Sequence, residues 1–282
     1  MKCLTPISIK VKNERHNVPC NTCIYCLSNK RDQWSFRLGK ELKQATTAYF
    51  ITLTYDDENL IYGDTSPTLV KRDLQLFIKR LRQENTKMVQ EYQDNSKERL
   101  DELKYKIRYY AVGEYGTKTL RPHYHGIFFN IHKGIKNQIE NIWKKGRIHL
   151  GTVNGASIHY TTKYMITKGK QPKNVEPCFA IMSRKPAIGS NYLKNIKSTK
   201  IDHVIKDGYK MAMPKYYKDK TLKLTQHEKL QRKTEIQKKL DILEEKKRLR
   251  IEKKGTNYFK HKHDSDKNQI EIITKRTQKG KL

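Results

Sequence analysis

A pair of strand-like segments joined by a short connector constrains the fold of this chain most strongly. Residues 107–114 and 123–131 are rich in aromatic and branched side chains, which favour β-strands. Residues 115–122 lie between them, and Gly116 and Pro122 in this connector interrupt regular structure. The pattern predicts an antiparallel hairpin, and with it a fold that contains a sheet.

Helix and strand patterns alternate on both sides of this hairpin. Residues 49–55 alternate as a strand would, and residues 66–85 repeat their apolar side chains as an amphipathic helix would. Residues 86–104 are polar and either extend this helix or form an excursion from it. After the hairpin come a predicted short helix, a strand and a helix capped by Ser157, at residues 135–145, 147–153 and 157–168. The order predicts an α+β fold, with a central antiparallel β-sheet flanked by helices that lie largely on one face.

The composition changes along the chain and divides it into three predicted parts. Residues 1–44 form a cysteine-rich N-terminal segment with a basic helix, and residues 45–217 form the domain that contains the sheet. Residues 218–282 are dominated by Lys, Glu and Gln and carry only a thin apolar stripe. This last part is predicted to be one long charged helix that ends in a disordered tail.

The formal net charge of +31 at pH 7 predicts an acidic partner, because so large an excess repels itself in the folded state. Nucleic acid is the partner that this charge favours, since each Lys or Arg set against a phosphate releases condensed counterions. The 17 tyrosines add flat faces on which unpaired bases can stack. We see neither a signal-peptide core nor a membrane-spanning apolar run, which predicts an intracellular protein without a membrane partner. A nucleotide-driven motor is disfavoured, because the sequence has no phosphate-binding GxxxxGKS or GxxxxGKT loop.

Two histidines on the second strand of the hairpin are candidate metal ligands. His123 and His125 are spaced i, i+2, so on a strand both imidazoles project from one face. Glu114 ends the preceding strand and would lie near them once the hairpin closes. Two imidazoles and a carboxylate suit a divalent ion, Mg²⁺ or Mn²⁺, that keeps open positions for a phosphate. The alternative is that these histidines are ordinary polar residues of a sheet face.

Two tyrosines on the last predicted helix are candidate nucleophiles. Tyr160 and Tyr164 are spaced i, i+4 and share one helix face. A phenol with a pKa of roughly 10 attacks a phosphodiester only when the phosphate is polarised, for example by a metal ion. Lys163 and Lys168 would then position phosphates or neutralise the leaving oxygen. The alternative is that the tyrosines only pack.

Four cysteines near the N-terminus are candidate zinc ligands. Cys20, Cys23 and Cys26 form a CxxCxxC pattern, and Cys3 lies upstream on a segment that could fold back. Four thiolates would complete a closed tetrahedral zinc site. The alternative is a set of reduced structural cysteines beside a basic helix.

Several motifs in this order resemble those of the HUH endonuclease superfamily, named for two histidines that flank a hydrophobic residue, here Tyr124. The chain is most similar to the replication initiators of gokushoviruses, small single-stranded DNA phages of the Microviridae. The stretches that carry the resemblance are the Cys20 to Cys26 cluster with Arg31 and Trp34, FITLTY at residues 50–55, GEYG at 113–116, RPHYHGIFF at 121–129, YTTKYMITK at 160–168 and SRKPAIG at 183–189.

The resemblance implies an HUH-type sheet and rolling-circle initiation of DNA replication. Such an enzyme nicks one strand at the origin, stays linked to the 5′ end through a tyrosine and later rejoins the strand. His123 and His125 are then metal ligands, with Glu114 as the third, and Tyr160 and Tyr164 are nucleophiles. The implied partners are single-stranded and origin DNA and a host helicase or other host replication proteins, in the bacterial cytoplasm. One departure is a lysine four residues after Tyr164, where related initiators have it three after.

Further candidate DNA contacts are basic residues next to these motifs: Arg31, Arg37, Arg121 and Lys163. Two other functions remain open on the sequence. One is a non-catalytic, zinc-containing nucleic-acid-binding protein. The other is a relaxase or transposase of the same superfamily from a plasmid or mobile element.

Overall fold

The computed structural model describes residues 3–11, 14–64, 66–95, 106–163, 173–197, 203–206, 208–222 and 225–278. The chain forms two compact units, one from Met1–Gln33 with Ile196–Lys281 and one from Trp34–Asn195. The three-part organisation with divisions after residues 44 and 217 stays a prediction.

The described elements alternate between strands and helices. The strands are β1 (Ile7–Val11), β2 (Glu14–Val18), β3 (Ala48–Thr54), β4 (Arg108–Tyr115), β5 (Pro122–Phe129), β6 (Ile148–Thr152), β7 (Phe179–Met182), β8 (His203–Lys206) and β9 (Tyr209–Ala212). The helices are α1 (Ile24–Leu42), α2 (Lys71–Asn95), α3 (Ile139–Trp143), α4 (Gly155–Lys163), α5 (Lys215–Thr221), α6 (Gln226–Glu252) and α7 (Tyr258–Gln278). None of the helices in these described ranges is both long and apolar enough to cross a membrane.

The second unit is built on a five-stranded sheet in the order β6-β3-β5-β4-β7, and every neighbouring pair is antiparallel. The predicted hairpin is confirmed as β4 and β5, with Glu114 paired to His123. Strand β5 lies at the centre of the sheet, between β3 and β4. The predicted α+β class is therefore confirmed, and the histidine strand is held by hydrogen bonds along both edges.

Helices cover both faces of this sheet, so the expectation that they lie largely on one face is wrong. Phe77 of α2 and Trp143 of α3 belong to a core cluster with Phe128 of β5. On the opposite face, Leu38 of α1 and Ile158 of α4 pack in a second cluster. The reason is that alternate residues of the central strands are apolar on both sides, and each apolar face must be covered.

Two helices begin elsewhere than predicted. Helix α2 begins at Lys71, after a loop in which Pro67 forms a bridge with Tyr62, and it continues to Asn95. Helix α4 begins at Gly155, and the backbone N–H of Ser157 donates to the Asn154 side chain at 3.0 Å. The side-chain cap is therefore Asn154, since Asn and Ser compete for this position and the earlier one satisfies the free N–H.

The described C-terminal part forms two helices in place of one helix and a disordered end, so this expectation is wrong. Helix α6 begins with a capping box between Thr225 and Glu228. Helix α7 follows a turn at Gly255, whose φ of 74° suits glycine. Its first residue, Tyr258, is buried and donates to Glu244 at 2.8 Å. This single buried tyrosine anchors a segment whose average composition resembles that of disordered chain.

A buried ion pair fastens the SRKPAIG segment to the sheet. Arg108 on β4 pairs with Glu41 on α1, and only 10% and 6% of their side-chain areas are exposed. Arg108 also donates to the carbonyl oxygens of Pro186 and Ala187, at 3.0 and 2.8 Å. Glu41 accepts from the backbone N–H of Gly189 at 2.6 Å. The motif thus has a structural role, because its backbone completes the hydrogen bonding of the two charges.

We predict that Glu41→Gln lowers the free energy of unfolding by roughly 3 kcal/mol, because it leaves the guanidinium of Arg108 buried without a counter-charge. Urea denaturation measures this change. The matched control Glu58→Gln, at an exposed position, should stay within about 0.5 kcal/mol of the unmodified protein. A Glu41→Gln variant as stable as that control would contradict the assigned role of the pair.

Candidate active site

Three predicted metal ligands lie on one face at the end of β4 and β5. Glu114 is directly across from His123 in the β4–β5 pairing, and His125 follows two residues later on the same face. On the other side of β5, Thr52 of β3 is paired with His125. The strand register, set by residues distant in sequence, brings these side chains together.

Their ligand atoms converge on a single carboxylate. Oε1 of Glu114 lies 2.7 Å from Nε2 of His123 and 3.0 Å from Nε2 of His125. All three groups offer one ligand atom within 4.8 Å of the others. Glu114 and His125 are buried and His123 is half-buried, so the cluster is only partly open to water.

The second nitrogen of each imidazole is held by a different partner. Nδ1–H of His123 donates to the carbonyl oxygen of Arg121 at 3.1 Å. Nδ1 of His125 lies 2.9 Å from the hydroxyl of Thr52. These contacts orient both Nε2 atoms toward Glu114, in the way that outer hydrogen bonds commonly orient metal-binding histidines. Sequence reasoning placed Thr52 only on a strand face, and no local signal identifies its bond to His125.

The hydrogen-bond pattern at His123 requires a cation. Its Nδ1 faces a carbonyl oxygen, which can only accept, so in the neutral ring Nε2 carries a lone pair. That lone pair would face the Glu114 carboxylate at 2.7 Å. Two acceptors at this distance repel each other unless a proton or a metal ion lies between them. The donor set, two imidazole nitrogens and one carboxylate oxygen, therefore fits a divalent ion.

The pKa shifts follow from the same contacts. Burial would raise the pKa of Glu114, but hydrogen bonds and charge from His123 and His125 outweigh it and hold this pKa below its usual value. Burial would lower the pKa of His123, but the hydrogen bond and charge of Glu114 raise it. For His125 burial prevails, with the charges of His123 and Lys163 adding to it, so that its pKa is lowered.

Tyr160, on α4, is the one predicted nucleophile within the described residues. Its hydroxyl lies 3.4 Å from Nε2 of His125. Its ring meets the His125 ring edge-on, with ring centres 5.1 Å apart, and Nζ of Lys163 lies 4.2 Å from its ring centre. Phe50 of β3 stacks on His125 and meets Tyr160 edge-on, so it supports both rings. Tyr164 and Lys168 lie outside the described residues.

The predicted DNA contacts have different surroundings. Arg121 pairs with Asp57 and donates to the carbonyl oxygen of Tyr55 at 3.0 Å, with 39% of its side chain exposed. Arg37 lies over the Trp34 ring and donates to the carbonyl oxygen of Ile188. Lys163 is buried beside Tyr160.

In the first unit, Arg31 is buried and pairs with Asp32 at 2.8 Å, so a phosphate contact would require this pair to open. The sulfur atoms of the four N-terminal cysteines, Cys3, Cys20, Cys23 and Cys26, all lie within 4.8 Å of one another. Each of these roles stays a prediction.

Comparison with known proteins connects this site to a family. The family model for the replication-associated protein ORF2 group matches residues 48–170, the range that contains Glu114, both histidines and both tyrosines. The chain is a relative of the phage replication-associated proteins. The resemblance drawn from the sequence motifs is therefore confirmed.

Three relatives carry the same kind of name. The replication-associated protein ORF2 of Spiroplasma virus 4 is 33% identical, over 54% of this chain and 48% of the relative. The replication-associated protein VP4 of Bdellovibrio phage phiMH2K is 30% identical, over 71% of this chain and 66% of the relative. The replication-associated protein ORF4 of Chlamydia phage 1 is 24% identical, over 76% and 56%. The matches thus span about half to two thirds of the relatives' length, and no solved structure matches the chain.

We predict that Thr52→Val weakens Mn²⁺ binding about 10- to 100-fold, because His125 loses the partner that orients its ring. Calorimetric titration with Mn²⁺ measures this affinity, and Mn²⁺ is chosen because cysteine thiolates select softer ions.

The matched control is Thr54→Val on the same strand face, whose hydroxyl donates to the carbonyl oxygen of Arg147. It should leave the Mn²⁺ affinity close to that of the unmodified protein. Equal affinities for the two variants would contradict a positioning role for Thr52.

Proposed function

We propose that this protein initiates rolling-circle DNA replication of a small phage by nicking one DNA strand at the origin. The observation that carries the proposal is the convergence of Glu114, His123 and His125 beside the Tyr160 hydroxyl. The relatives' names, which associate those proteins with phage replication, support it. A net charge of +31 fits DNA as the substrate.

Each group at the site has a role in the proposed reaction. Glu114, His123 and His125 would hold Mg²⁺ or Mn²⁺, which when bound polarises a phosphate and stabilises its developing charge. The phenolic oxygen of Tyr160 would attack the phosphorus and form a 5′-phosphotyrosine bond. The P–O3′ bond breaks, the phenolic proton is released and the departing 3′ oxygen takes up a proton. Tyr164 would act as the second nucleophile, so that one tyrosine can attack while the other still holds DNA.

The partners follow from this reaction. Single-stranded DNA and the origin would be the substrates, with Arg37 and Arg121 as candidate phosphate contacts. A nicking enzyme of this kind requires strand separation, which we assign to a host helicase and other host replication proteins in the bacterial cytoplasm. A relaxase or transposase of the same superfamily would use the same chemistry on another DNA, so the origin sequence distinguishes them.

We predict a covalent protein–DNA adduct when the protein is incubated with labelled single-stranded origin DNA and Mn²⁺ or Mg²⁺. The adduct should survive denaturing electrophoresis, since it is a phosphodiester to tyrosine, and a chelator should prevent it. Tyr160→Phe together with Tyr164→Phe should abolish it. Tyr62→Phe, an exposed tyrosine of the same unit, serves as the control and should leave the adduct unchanged.

A double variant separates catalysis from binding. His123→Ala with His125→Ala should prevent the adduct and retain most salt-sensitive DNA binding, because the basic surface remains. DNA binding without any adduct in the unmodified protein would favour a non-catalytic nucleic-acid-binding protein. An adduct that persists in the double tyrosine variant would rule out the proposed nucleophiles.

A further inference from the structure

The N-terminal hairpin has little apolar core of its own. Strands β1 and β2 have five residues each, and every one of these residues is exposed or half-buried. No residue before Leu38 belongs to either buried apolar cluster of the described chain. An isolated two-stranded hairpin is only marginally stable in water. Another interaction must therefore hold this segment.

The four cysteines near the ends of this hairpin supply the missing contact. Sγ of Cys20 lies 4.0 Å from Sγ of Cys26, and Sγ of Cys23 lies 3.9 Å from Sγ of Cys3. A tetrahedral zinc ion with zinc–sulfur distances of about 2.3 Å has sulfur–sulfur edges of roughly 3.8 Å. The observed spacings match a single ion. An iron–sulfur cluster places several atoms between its thiolates and would need wider spacings.

The backbone around the cysteines is arranged for thiolates. The N–H of Cys23 donates to Sγ of Cys20 at 3.2 Å, and the N–H of Cys20 donates to Sγ of Cys3 at 3.3 Å. Asn21 has a φ of 61°, in the left-handed region that Asn tolerates better than most residues. The chain therefore turns sharply between Cys20 and Cys23, so that both sulfurs point to one centre.

We infer that Cys3, Cys20, Cys23 and Cys26 bind one structural zinc ion, which fastens the N-terminal hairpin to the first turn of α1. With four protein ligands, two of them buried, the site is closed and has no open position for a substrate. Its role is therefore structural, and it is independent of the metal proposed for the histidine site.

Metal analysis of the full chain, purified with reductant and without added metal, tests this inference. One zinc ion per chain is the expected result. Cys178 lies outside the cluster, so Cys178→Ser should keep its zinc, as should His123→Ala with His125→Ala. Cys20→Ser with Cys23→Ser should lose it. Zinc absent from the unmodified protein, or zinc lost only with the histidines, would overturn the inference.

A second measurement does not depend on variants that fold poorly. Co²⁺ exchanged into the unmodified protein should give the visible bands and thiolate charge-transfer absorption of a tetrahedral four-sulfur site. In the zinc-bound protein a thiol reagent should modify Cys178 first, and a chelator should expose the other four cysteines. Disulfides such as Cys20–Cys26 in the reduced preparation, or four thiols that react freely before chelation, would contradict the site.

Discussion

The carboxylate of Glu114 lies between two imidazole rings, and the arrangement of the second unit depends on this contact. Each ring is held from behind, His123 by the Arg121 carbonyl and His125 by the Thr52 hydroxyl. Both Nε2 atoms therefore face the same acceptor, and this arrangement is stable only with a positive charge between them. The central position of β5 fixes the geometry, because its neighbours on both edges contribute a residue to the cluster.

The chain carries two clusters of different chemical character. One offers two imidazole nitrogens and a carboxylate, and the other offers four sulfurs. Harder ions such as Mg²⁺ and Mn²⁺ favour oxygen ligands and leave coordination positions open, whereas thiolates select zinc and enclose it. This difference allows one protein to hold a structural and a catalytic metal without exchange between their sites. It also explains why the histidine variants should not affect the cysteine site.

Local periodicity predicted the part of the site that is local. The convergence of His123 and His125 follows from strand geometry, and the short connector brought Glu114 to them. The bond from Thr52 and the pair of Arg108 with Glu41 depend on the register of segments distant in sequence, which no local pattern encodes. Helix α7 was missed for another reason: average composition hides the effect of one buried residue, Tyr258.

The central claim is that two imidazoles and one carboxylate bind a divalent ion, and Mn²⁺ electron spin echo spectroscopy tests it most directly. The modulation of the echo counts the nitrogens bonded to the ion. We predict two imidazole nitrogens in the unmodified protein and one after His125→Ala. Mn²⁺ that binds without any nitrogen modulation, or two nitrogens that persist in His125→Ala, would contradict the account.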